Sequence, residues 1–139
     1  MYKMTRKIYE ALKQSDGLKV FTEDRGNSSV VWLQFSADNG PSYRINFINT
    51  DDDSDTAVRV FGLISVEKNK WAKVLVALNK LNSDYRFVKF VLDDDGDVNI
   101  QYDFPVRADN VDECAEEIMI RVVQIIDDAY PVLMRAMWA

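Results

Sequence analysis

Twenty-three carboxylates, one thiol and no imidazole are the chemical means of this 139-residue chain. Without histidine, Ser-His-Asp and Cys-His catalysis, imidazole proton shuttles and His-ligated metals are all excluded. A single cysteine, Cys114, forms neither an internal disulfide nor a thiolate zinc site. The carboxylates gather in two places. Asp93-Asp94-Asp95-Gly96-Asp97 has the look of a calcium loop, but with Gly96 at the sixth EF-hand position the first and twelfth are Val91 and Tyr102. Neither can supply a carboxylate, so an Asp-Gly hairpin turn is the better reading. Asp51-Asp52-Asp53-Ser54-Asp55 could gather a weak divalent cation and is read as a solvated loop. No metal and no cofactor is expected. Paired acids for acid/base work select no pair, and Gly17, Gly26, Gly40, Gly62 and Gly96 stand singly, so no glycine-rich phosphate loop exists. Cys114 falls in the first turn of the closing helical pattern, where a dipole can lower a thiol pKa. It also falls on that pattern's apolar stripe, which favours a small buried hydrophobe.

Charge speaks to partners. Lys and Arg total 17 against 23 acids, a net charge of −6. Such a chain repels phosphate backbones and anionic lipid, so neither nucleic acid nor membrane is an expected partner. The first 14 residues lack the apolar core of a signal peptide, and no 18-residue apolar run exists. With a free thiol, the expected location is the cytoplasm.

The elements that position these residues follow from periodicity. Ile8, Tyr9 and Leu12 repeat at helical spacing, with Gly17 placed as a left-handed C-terminal cap. From Leu18 the period is two. Val31, Leu33 and Phe35 share one face, Asp38-Asn39-Gly40-Pro41 turns the chain, and Tyr43, Ile45 and Phe47 alternate with Arg44 and Asn46. Ala57 to Val66 is apolar at both parities, which predicts a central strand covered on both faces. Trp71, Val74, Leu75, Leu78 and Leu81 mark a second helix with a buried arc. Arg86–Leu92 and Val98–Phe104 predict a hairpin around Asp95-Gly96, the second strand with one wet face. Asn110 and Glu113 have capping-box spacing for a last helix, which Pro131 should kink or interrupt before Val132. The order α-β-β-β-β-α-β-β-α makes one α+β domain, residues 1–139, with helices on one face of an antiparallel sheet.

Apolar side chains also occur where a core does not need them. Ala72 and Val76 lie around the second helix from its core stripe, and Met134 and Trp138 form a pair four apart after Pro131. These four residues are the candidate protein interface.

The segment Val74 to Trp138 resembles the YbjN family, which is similar in fold to type III secretion chaperones. The matching features are Leu78-Asn79-Lys80-Leu81-Asn82, Tyr85-Arg86-Phe87-Val88-Lys89-Phe90, Leu92-Asp93-Asp94-Asp95-Gly96-Asp97-Val98, Tyr102-Asp103-Phe104-Pro105 and Asp127-Asp128-Ala129-Tyr130-Pro131. The preceding strands fit in order and number. The resemblance implies a chaperone-like fold, a dimeric habit and a regulatory role in sensory transduction, and it supplies no catalytic residue. The expected function is a non-enzymatic protein-binding module, homodimeric, acting on a partner protein or peptide through a strand edge or apolar groove. The alternative is a small-molecule or metal-ion sensor with a pocket between sheet and helices.

Overall fold

Alternating apolar and polar residues give a strand one dry face, and the strands of this sheet, the fully exposed first one aside, share it. The structure, a computed structural model, describes residues 1–15, 17–52, 55–104 and 110–139. Helix α1 (Lys3–Lys13) precedes strands β1 (Phe21–Asp24), β2 (Ser29–Ser36), β3 (Ser42–Asn49) and β4 (Thr56–Ser65). A short 3-10 turn, Lys68–Lys70, leads into α2 (Trp71–Asp84), followed by β5 (Lys89–Leu92), β6 (Asp97–Phe104) and α3 (Val111–Trp138). The strands form one six-stranded sheet in the order β1-β2-β3-β4-β6-β5, every neighbour antiparallel. The expected α+β architecture is the one observed.

Register explains the core. Val31, Phe47, Val58 and Tyr102 stand opposite one another across four strands, and Val60, Ile100 and Phe90 across three. All seven are buried, in one cluster with Ile8 and Leu12 of α1, Val74 and Leu78 of α2, and Ile118, Val122, Ile126 and Leu133 of α3. Each such side chain contributes roughly 1.5–3 kcal/mol of burial relative to exposure. A polar cluster is also sealed in. Thr5 and Ser29 hydroxyls lie 2.6 Å apart, Asn49 Nδ2 donates to Thr5 Oγ1 and Thr56 Oγ1 donates to Asn49 Oδ1. Four fully buried polar residues thus tie α1 to β2, β3 and β4 without an orphaned group.

Several local expectations are corrected. β4 is central but not doubly covered, because Arg59 and Phe61 point to the helix-free face and Phe61 is 59% exposed. Between the Val60–Ile100 and Ile64–Val98 pairs, four residues of β4 advance against two of β6. This bulge at Gly62 (φ +63°) adds two residues to β4 without changing its phase, and the extra Leu63 is buried beside Ile64, which mimics a two-faced apolar run. The capping box does not form: Asn110 is the N-cap of α3 without a side-chain hydrogen bond. Nor is α3 interrupted, running 28 residues through an exposed Pro131. α1 ends at Lys13 with Gln14 as its C-cap, so the left-handed Gly17 (φ +81°) lies beyond the cap position. Only Phe21–Asp24 of the first predicted strand pairs, and the hairpin's first strand starts at Lys89 rather than Arg86.

Candidate functional site

The first candidate surface joins two helices. α3 comes back to the start of α2, where Lys70 and Lys73 donate to the Ala139 main-chain oxygen at 2.8 and 2.6 Å. Beside this clamp Val76 is 73% exposed, Trp138 80% and Leu75 50%, and Ala72 is exposed too. Leu75, expected in the buried arc, therefore joins the surface, while Val74, Leu78 and Leu81 are the buried stripe of α2. Met134 is only partly exposed, packed against the core. The four interface candidates thus lie on helices that meet at one end of the molecule.

The second candidate surface is the helix-free face of the sheet, which sequence periodicity did not single out. Phe21 stacks on Trp32 (centroids 4.3 Å apart, planes 17° apart), and the Arg44 guanidinium lies 3.8 Å over the same Trp32 ring. Trp32 stands opposite Phe21 on one side and Asn46 on the other, so Arg44 reaches it diagonally, two residues along β3. Arg59 pairs with Asp103 at 2.7 Å farther along the face, and Arg25 with Glu23 at 3.0 Å near β1. A cavity of about 390 Å³ lies here, lined by Val30, Gln34, Arg44, Asn46, Ile48 and Phe61 among others. Another of about 490 Å³ adjoins it through Gln34, between Leu18, Lys19, Phe21, Trp32 and Phe35. Other cavities open along α1.

A profile of the YbjN family, described as "Putative bacterial sensory transduction regulator", matches residues 9–134. The chain belongs to the YbjN family. Comparison with curated proteins and with solved structures returned no match.

The segments that carry the YbjN likeness are built for structure. Asp127 Oδ1 accepts the Asp38 N–H at 3.1 Å, docking the β2–β3 turn on α3. A Cβ on Gly40 would come within 2.8 Å of the Tyr130 ring, so the glycine permits this approach. Asp93 Oδ1 accepts the N–H groups of Asp95 and Asp97, and Oδ2 accepts Asn99 Nδ2. These bonds, the Asp97 N–H first, hold its carboxyl below the ordinary range. The turn closes with Gly96 at φ +87°, the expected tight hairpin. Asn82 brackets the main chain of Phe90, accepting its N–H and donating to its carbonyl oxygen. Phe87 departs from expectation: φ is +73° and the Val88 N–H donates to Arg86 O, a strained γ-turn that delays the start of β5 to Lys89 and leaves Phe87 62% exposed.

The remaining chemistry-bearing residues have structural neighbours. Asp52 Oδ1 accepts the Lys3 N–H at 2.7 Å, serving a helix start that has no acid of its own. Asp53 and Ser54 of that acidic loop lie outside the described residues, as does Pro105. Among the described residues no group of three or more acids and cysteine could hold a metal ion. Cys114 is half-buried against the core, and burial, followed by Glu117 and Glu113, pushes its thiol pKa up. Among the described residues no helix is long and apolar enough to cross a membrane.

Proposed function

We propose that this YbjN-family protein is a non-enzymatic regulator that works by binding protein, as a homodimer joined through Ala72, Val76, Met134 and Trp138. The observation that carries this reading is the exposure of Val76 and Trp138 on helices held together by Lys70 and Lys73. Burying such side chains against a second copy gains about 25 cal/mol per Å² of apolar area. An antiparallel sheet with helices on one face supports the likeness to type III secretion chaperones and their dimeric habit. The net charge of −6 supports a protein partner over nucleic acid or a membrane, and the unpaired Cys114 thiol supports a cytoplasmic location. The conformations of the acids support a role without catalysis, since Asp93, Asp127 and Asp52 each serve a turn, a loop or a helix start.

Sedimentation equilibrium tests the dimer. The wild type should run at twice 16.0 kDa at tens of micromolar, and Val76→Glu or Trp138→Glu should shift it toward monomer. A monomeric wild type, or a dimer that ignores both substitutions, rejects this surface.

A further inference from the structure

We propose that the helix-free face of the sheet binds an extended segment of a partner protein that carries a carboxylate beside an apolar side chain. This rests on reading the molecule as a protein-binding module, and it uses a surface separate from the α2–α3 end. The two cavities share Gln34 and are read together as a trough from Phe21 of β1 to Phe61 of β4, the second opening at the sheet edge, where Leu33 and Phe35 line it too. Among the described residues its lining holds Lys19, Arg25 and Arg44 and no acid, while Glu23, paired with Arg25 and within electrostatic reach of Arg44, stands beside it, in a chain with six more acids than bases. That local reversal of sign selects an acidic occupant.

The side chains divide the work. Stacking on Trp32 fixes the Arg44 guanidinium by its face, leaving its N–H edge for bidentate donation to a carboxylate. Arg25 is shared with Glu23, so it adds field more than a contact. Val30, Ile48 and Phe61 supply the apolar floor on which a neighbouring side chain would rest. An extended segment suits the shape better than a small molecule, which is held by enclosing most of its surface. Four strands at about 4.8 Å spacing span roughly 14 Å, the reach of about four extended residues.

Random heptapeptides displayed on phage, panned on the full chain at low salt, test the proposal. Enriched sequences should place Asp or Glu next to Leu, Ile or Phe. Made with a fluorescein label and followed by anisotropy, they should bind at least tenfold more weakly to Arg44→Gln and to Phe61→Ser. Arg44→Lys, which keeps the charge but loses the planar fork, should also bind more weakly. Glu67→Gln, an exposed change away from both cavities, should leave the affinity unchanged. No enrichment, enrichment without acids, or binding indifferent to the Arg44 and Phe61 substitutions overturns the proposal. Displacement of the peptide by equimolar octanoate does so too, and assigns the trough to a small anion. Peptides that bind but ignore both substitutions would leave the binding-module reading intact and reject only this face, while sedimentation reports separately on the dimer.

Discussion

The two faces of the sheet are cut from the same strands and do opposite things. On the covered face Val31, Phe47 and Val58 stand in line, fully buried beneath the helices. One residue along each strand, Trp32, Asn46 and Arg59 stand in line on the open face. The first row is what makes the chain fold; the second is free of that duty and carries an aromatic-cation stack instead. Alternation of period two therefore lets stability and recognition vary independently within a single strand.

The largest test of that division replaces one aromatic residue in each row. Phe47→Ala removes one of the largest fully buried side chains and should cost about 3–5 kcal/mol. Against a total stability of roughly 5–15 kcal/mol, the variant should melt far below the wild type in chemical denaturation. Trp32→Ala loses the stack with Phe21 and Arg44 on a solvated surface, and should cost about 1 kcal/mol. Equal costs would mean that the open face is part of the folding core after all.

Polar groups sharpen the same contrast within the covered face. Asn49→Ala would leave the Thr5 and Thr56 hydroxyls without the amide that joins them, at a cost of about 2 kcal/mol. The Tyr43 hydroxyl is buried with no hydrogen-bond partner among the described residues, and burial, then Asp127 and Asp38, pushes its pKa strongly upward. Tyr43→Phe should therefore be neutral or stabilising by up to about 1 kcal/mol. Opposite signs in parallel urea titrations would separate a satisfied network from an orphaned group. A destabilised Tyr43→Phe would show that the hydroxyl has a partner in solution.

How much of this the sequence disclosed depended on whether neighbours in space were neighbours in period. Val98, Ile100 and Tyr102 alternate without a break, so β6 and its wet face were legible, as was the Asp95-Gly96 turn. In β4, Phe61, Leu63 and Ile64 read as apolar on both sides because the Gly62 bulge adds residues that no periodicity announces. On α2, Leu75 fits a 3.6-residue arc as well as Leu78 does, yet only the packing of α3 decides which is buried. The open-face trough was hidden for another reason. Trp32, Arg44 and Phe61 come from three strands, and they meet only once two registers are fixed. The available signal was parity: Trp32 and Arg44 both sit opposite in phase to the buried Leu33 and Ile45.

The smallest expected effect lies where the two faces meet at the β5–β6 turn. Asp93 holds Asp95, Asp97 and Asn99, and Asn99 Oδ1 in turn accepts the Gly62 N–H of the bulge at 2.7 Å. Its carboxyl is held below its unfolded value, so it adds stability above the unfolded pKa and loses it as pH falls through the folded one. Asp93→Asn keeps an acceptor for Asp95 and Asp97 but sets an amide N–H against Asn99 Nδ2. The variant should be slightly less stable than the wild type at neutral pH. The gap should shrink as acid protonates Asp93 in the wild type, because both chains then hold an uncharged group there. Urea midpoints measured from neutral pH down through the carboxylate range check this. A difference that stays constant over the whole range would show that the turn is held by its main-chain bonds and by Gly96 alone, and that the Asp93 charge contributes nothing to the bulge behind it.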